Sequence, residues 1–162
     1  RERFGYDHSL ETLFDGASMI LTPTAATASD ALARAKALLA PLGFARFCIC
    51  TPEEHDRMIA YTSQLAHVVS SAYVQSDTSL SHVGFSAGSF QDMTRVARLY
   101  EPMWAELFLD NAEPLLQELD GLIERLTAFS TAIRQRDGAG LYDLLHAGRV
   151  RRERVTELEQ QN

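Results

Sequence analysis

The sequence predicts a mainly α-helical chain preceded by a short strand–helix–strand unit. Three observations carry that prediction. From Thr51 onward, apolar residues recur at helical spacing in successive segments, each with its own start or stop signal. Before Thr51, two short apolar runs, 17–21 and 44–50, flank one amphipathic stretch. Leu115, Leu119, Leu122, Leu126, Phe129 and Ile133 alternate in spacings of four and three, the seam of a helix that packs on other helices.

The first fifty residues hold the two strands. Residues 3–16 read as a loop and a short helix, with Ser9 able to cap and Leu10, Leu13 and Phe14 at helical spacing. Asp15-Gly16 ends it. Ala17 to Leu21 is a short apolar run bounded by turn signals, the pattern of a buried strand, and Thr22-Pro23-Thr24 stops it. Ser29-Asp30 opens a helix with Ala31, Leu32, Ala35, Leu38 and Leu39 on one face, closed by Pro41 and Gly43. Phe44 to Cys50 is a second buried strand. Strand, helix, strand over this length is a βαβ-like unit. Two strands make a poor sheet, so the unit reads as the edge of a larger one.

The helical part begins with a strong start signal. Thr51 caps, Pro52 sits at the first helical position, and Glu54 completes a capping box. The helix is expected to run to about Val74. Its first half is charged, whereas Ile59 to Val74 contains no Asp, Glu, Lys or Arg, as in a helix that enters a core. Ser63, His67, Ser70 or Ser71, and Val74 share one side. Taken alone, His67 is either a satisfied core histidine or part of a polar cavity wall. His55 and His82 stand in polar surroundings and are assigned no role.

Residues 75–83 read as a loop or frayed helix end. Gly84 to Ala97, GFSAGSFQDMTRVA, follows. Ser89 is a plausible N-cap with Asp92 at capping-box spacing, and Arg95 lies three residues further on the same face. Glycines, a helix start and a guanidinium suit a carboxylate or phosphate, and an ordinary loop with a surface ion pair suits the same residues. Pro102 starts a helix carrying Met103, Trp104, Leu107, Phe108 and Leu109, which by itself reads as core packing. Asn111 begins the seam helix, with Leu116 and Ile123 reinforcing it and Asp137-Gly138 ending it. The last helix, about Leu141 to Glu159, has its arginines interleaved with Glu153 and Glu157.

The bulk properties narrow the function classes. A net charge of −7 argues against a nucleic-acid binder. Lys36 is the sole lysine. Cys48 and Cys50, with no further Cys or His at ligand spacing, read as buried strand thiols of a reducing, cytoplasmic compartment, and no metal site is expected. No signal peptide or membrane span is visible, and there is no G-x-G-x-x-G or zinc signature. The chain begins Arg1-Glu2-Arg3 without an initiator Met, so it reads as a piece of something longer.

Three blocks give the chain a family. TPEEHDRMIAYTSQLAHVVSSAY (Thr51–Tyr73), FSAGSFQDMTRVA (Phe85–Ala97) and MWAELFLDN (Met103–Asn111) resemble, in the same order, the C-terminal part of the prephenate dehydrogenase family. The resemblance implies a 6-phosphogluconate-dehydrogenase-like layout. A residual edge of a Rossmann domain would occupy 1–50, and an all-helical substrate-binding and dimerisation domain 51–162. Arg1 and Glu2 look like the end of the family's His-Pro-x-Ala-Gly-x-Glu motif. The catalytic histidine and the glycine-rich nucleotide loop would then precede Arg1, so no catalytic and no cofactor-binding residue is assigned to this chain.

The implied reaction is the oxidative decarboxylation of prephenate to 4-hydroxyphenylpyruvate in tyrosine biosynthesis, with NAD or NADP in the full-length enzyme and none bound by this part, which would be inactive alone. Arg95 matches the arginine that holds a substrate carboxylate, a task suited to its planar fork. Gly88 and Asp92 match positions around the same pocket, and Asp92 is expected to orient Arg95 or cap the helix. His67 matches a substrate-contacting histidine. Gln64 stands where many relatives carry a second one. Trp104 matches a tryptophan that reaches the neighbouring subunit's site, and Glu2 a gating glutamate. The implied partners are a second copy of the chain, prephenate, its product, and tyrosine as an inhibitor. Alternatives are an arogenate dehydrogenase of the same family or a helical dimerisation module that binds no ligand. A chorismate-mutase-like bundle ranks lower, because the arginines other than Arg95 gather near the C-terminal end.

Overall fold

A computed structural model describes residues 6–161. The order is β1 (Ser18–Leu21), α1 (Ala31–Leu39), β2 (Arg46–Ile49), α2 (Pro52–Ile59), a π-helical segment (Ala60–Gln64), α3 (Leu65–Val74), α4 (Gly88–Thr94), α5 (Glu101–Asp110), α6 (Ala112–Gln135) and α7 (Gly138–Gln160). Short 3-10 turns lie at Tyr6–His8, Ala40–Leu42, Asp77–Ser81 and Arg95–Ala97. The chain is mainly α with one two-stranded sheet, as the sequence predicts. It divides into two compact units, one through Leu116 and one from Gln117.

In the first unit, β1 and β2 pair in parallel with Met19 opposite Phe47 and Leu21 opposite Ile49. Parallel pairing follows from the helical crossover between them. Gly43 precedes β2 with φ 87°, and a Cβ there would run into the Asp15 carboxylate at 2.3 Å, so only glycine fits the turn. Two expectations fail here. The strands are not buried: each alternates exposed with half-buried positions or lies mostly exposed, and Cys48 is exposed. A two-stranded sheet has too few neighbours to cover its faces. Residues 9–16 form turns instead of a helix, closed by i→i−3 bonds such as Leu13 N–H to Leu10 O at 3.2 Å. Phe14 is held by stacking on Phe44 at 4.8 Å.

The second unit is a helical hairpin made by the rest of α6 and by α7. Asp137 N–H reaches back to Ala132 O at 2.9 Å, and Arg136 N–H to Ile133 O at 3.1 Å, which is a Schellman closure with Arg136 in the left-handed position (φ 53°). Asp137 then caps α7, its side chain accepting from Gly140 N–H at 3.0 Å. This cap starts α7 three residues before the expected Leu141. Along α6, Leu115 of the seam and Ala132 beside it are buried, while the seam residues Leu126 and Ile133 are 57% and 62% exposed in the single chain. No helix among the described residues is long and apolar enough to cross a membrane.

Candidate functional site

The site is built on the helix that starts at Thr51. Its capping box forms as predicted: Thr51 Oγ1 accepts from Glu54 N–H at 3.1 Å, and Glu54 Oε2 accepts from Thr51 N–H at 3.0 Å. The helix is not uniformly α. At Ala60–Gln64 it widens into a π turn, with Leu65 N–H bonding back five residues to Ala60 O. Such turns recur at functional sites because they re-aim the side chains that follow.

His67 lies in the first turn after the widening. Its Nδ1 sits 2.9 Å from Ser63 O. A carbonyl only accepts, so Nδ1 carries the proton and Nε2 is left as the ring's second polar atom. The ring stacks on Trp104 with centroids 3.7 Å apart at 25°. Trp104, 9% exposed, also packs against Phe108, with centroids 5.5 Å apart and the rings tilted at 53°. The sequence comparison placed this tryptophan in a neighbouring subunit's site. Within the single chain the indole is buried on His67, to which α5 carries it back.

Arg95 opens the 3-10 turn Arg95–Ala97, which packs against α3. Its side chain is exposed and has no ion pair or hydrogen bond among the described residues. Asp92 neither orients Arg95 nor caps the helix. Arg95 still continues the helical turn, with its N–H bonded to Gln91 O, but its guanidinium makes no bond to Asp92, and the N-cap is Ala87, which has no side-chain acceptor. Ser89, expected as the cap, lies inside the first turn, since Phe90 N–H already bonds to Ala87 O at 3.2 Å. Gly88 is the first residue of α4, and a Cβ on it would meet nothing within 4 Å. The positive φ belongs to Gly84 alone in this stretch, at 89°. Glu2 lies outside the described residues.

Some residues gained importance only in three dimensions. Gln64, 4% exposed, donates from Nε2 to Leu107 O at 2.9 Å and accepts at Oε1 from Asn111 Nδ2 at 2.7 Å. Asn111 Nδ2 also donates to Asp56 O at 2.9 Å. Ser70, 1% exposed on α3, has no hydrogen-bond partner for its hydroxyl among the described residues. His82 repeats the His67 arrangement, with Nδ1 2.6 Å from Ser79 O and the ring stacked on Phe90 at 4.2 Å. It faces a cleft of about 720 Å³ beside Ser79, Ser86, Ser89 and Phe85. A long uncharged helix half was the available signal for Gln64 and Ser70. Nothing in the polar loop around His82 marked a ring-stacked histidine.

Comparison with known proteins assigns a family to this arrangement. The family model described as "Prephenate dehydrogenase, dimerization domain" matches residues 51–147. Cyclohexadienyl dehydrogenase of Zymomonas mobilis is 34% identical over 143 residues, which is 85% of this chain and 48% of that protein. Prephenate dehydrogenase of Bacillus subtilis is 31% identical over 137 residues, 82% of this chain and 37% of the relative. The chain therefore spans about half the length, or less, of these relatives. Among solved structures, prephenate dehydrogenase from Aquifex aeolicus, in complex with hydroxyphenyl propionate and NAD+, superposes with a TM-score of 0.79 at 28% identity. It is matched over 96% of this chain and 56% of that one. With its helical region matched from Thr51 through Ala147 and its whole fold shared, the chain belongs to the prephenate dehydrogenase family.

Proposed function

We propose that residues 51–162 supply the substrate-binding and dimerisation part of an enzyme that oxidatively decarboxylates prephenate to 4-hydroxyphenylpyruvate, and that 1–50 are the trailing edge of its nucleotide-binding domain. The observation that carries this reading is Arg95. Its guanidinium is uncommitted among the described residues and sits on a turn packed against the helix of His67. A planar fork of N–H donors of this kind holds a carboxylate. His67 Nε2, its tautomer fixed by Ser63 O, adds a second polar contact, and Trp104 backs the imidazole from within the same chain. Gly88 and Asp92 stand nearby in sequence, at the start of α4 and within it.

The residues present do not fit a dinucleotide. The sequence has no G-x-G-x-x-G, and β1 leads into a Thr-Pro-Thr turn in place of a glycine-rich one. The role of these residues is to bind and orient the substrate, and NAD or NADP is held elsewhere in the working enzyme. The chain by itself is therefore expected to form no NADH from prephenate. The partner is a second copy of the chain, for which the exposed Leu126 and Ile133 of α6 supply apolar surface.

Titration calorimetry with 4-hydroxyphenylpyruvate tests the reading. Binding is expected, and Arg95→Ala should weaken it at least tenfold, since a charge-assisted hydrogen bond contributes about 1.5–3 kcal/mol. Absence of heat at millimolar ligand would favour a helical dimerisation module without a ligand site. The Zymomonas relative's broader name raises arogenate as a substrate, and competition between the two acids on the same titration ranks them. Tyrosine, tested as a competitor in the same way, should displace the product if it inhibits at this site.

A further inference from the structure

We infer that Gln64 is a positioning residue: its amide locks α5 onto the π segment in the one alignment that lays Trp104 over His67. The inference rests on the reading of His67 as a ligand-contacting residue only for its effect on binding.

The geometry is a pair of matched steps. Gln64 bonds to Leu107, and three residues further along α3 His67 meets Trp104, three residues back along α5. Three residues are nearly one helical turn, about 4.5 Å of rise. The helices run in opposite directions here, so fixing one pair fixes the other. Nothing in the stack itself selects this alignment, since flat rings tolerate sliding. A hydrogen bond to a single carbonyl does not.

The chemistry of the amide suits the task. Gln64 must donate to a backbone carbonyl and accept from Asn111 at once, and a carboxamide does both without charge. A carboxylate would set its oxygen against Leu107 O, and a neutral imidazole at the same place would have to serve both partners with a shorter, stiffer ring. Asn111 extends the lock to Asp56 O, so the α2 end of the π segment is tied to the same point at the end of α5. Gln64 itself is 4% exposed and Asn111 half-buried, and an apolar side chain at 64 would leave the Asn111 amide with Asp56 O as its one remaining acceptor among the described residues.

The test uses Trp104 as reporter, because it is the only tryptophan in the chain. Gln64→Met keeps the length and removes both bonds. In folded Gln64→Met, judged by unchanged helical circular dichroism, Trp104 emission should shift to longer wavelength and acrylamide quenching should rise at least twofold. Unchanged emission and quenching would overturn the inference. If Gln64→Met does not fold, Asn111→Ala, which removes the contacts to Gln64 Oε1 and Asp56 O but keeps the Gln64 bond to Leu107 O, should move both signals the same way by less, and no movement there overturns it equally. Gln64→Glu should not restore the native emission, whereas a native spectrum in that variant would contradict the donor role. Binding of 4-hydroxyphenylpyruvate should weaken about tenfold in Gln64→Met. A wild-type chain that binds no ligand would sink the reading of the site, and the fluorescence comparison would still decide the lock.

Discussion

The unpartnered hydroxyl of Ser70 gives a prediction with a sign that ordinary core substitutions do not share. Ser70 is buried to 1% exposure on α3, between the turn of His67 and the end of the helix, and its Oγ bonds to nothing among the described residues. A buried hydroxyl without a partner costs about 1–3 kcal/mol in lost hydration. Ser70→Ala removes that cost. Alanine adds about 0.5 kcal/mol of helix propensity, and the oxygen-sized void subtracts about 0.3 kcal/mol. The net expectation is a gain of about 1–3 kcal/mol. With a urea m-value of about 2 kcal/mol/M, the midpoint should rise by roughly 0.5–1.5 M at constant m. The assay is urea unfolding followed by Trp104 fluorescence, which reports the unit containing α3. A midpoint that falls by 0.5 M or more would refute the reasoning, since it would mean that the hydroxyl is satisfied in the folded chain.

Three further outcomes can be measured. Thr51→Ala removes the hydroxyl that accepts from Glu54 N–H, leaving the backbone bond to the Glu54 carboxylate, and should cost about 1 kcal/mol, seen as a melting temperature lower by about 2–4 °C, and a melting point within error of wild type would contradict it. Arg136→Gly relieves a left-handed residue that costs about 1–2 kcal/mol, offset by about 0.5–1 kcal/mol of glycine's chain entropy, so stability should hold or rise by up to about 1 kcal/mol, and any clear loss would show that the arginine side chain contributes more than its backbone strain. Leu126→Glu with Ile133→Glu should turn the proposed dimer into monomer in sedimentation velocity without loss of helical signal, and a persisting dimer would move the interface elsewhere.

Local signals were legible in the sequence and distant ones were not. The capping box at Thr51 is decided within four residues, and it formed with both bonds as read. The parallel strand pair and its crossover helix were likewise visible from run lengths and turn residues. Ser89 failed as a cap because the helix opened two residues earlier, a difference that a Gly-Ser-Phe stretch does not encode. Asp92 and Arg95 were paired by spacing, and the spacing holds, but both side chains are exposed, where water competes with an ion pair and counting along a helix does not decide whether one forms. The π segment was invisible for a deeper reason. Its last residue, Gln64, bonds to Leu107 and Asn111, more than forty residues away, and contacts at that separation leave no local pattern. Of the site, His67 and Arg95 were singled out, whereas their stacking partner's placement in the same chain and the role of Gln64 depended on how α5 turns back.

The π turn also makes the number of residues before His67 a quantity in its own right. In a helix each residue advances the side chains by about 100° around the axis. Removing one residue between Ala60 and Gln64 would leave Leu65 N–H bonded to Ala60 O as an ordinary i→i−4 bond, so the segment would close into regular α geometry with the side chains from Leu65 onward in about their present directions. Removing one residue from the regular turn just ahead of His67 would instead swing the imidazole about 100° off the indole. The π turn is therefore a place where this helix can lose a residue and keep its register with α5, a tolerance that the α turns beside it lack.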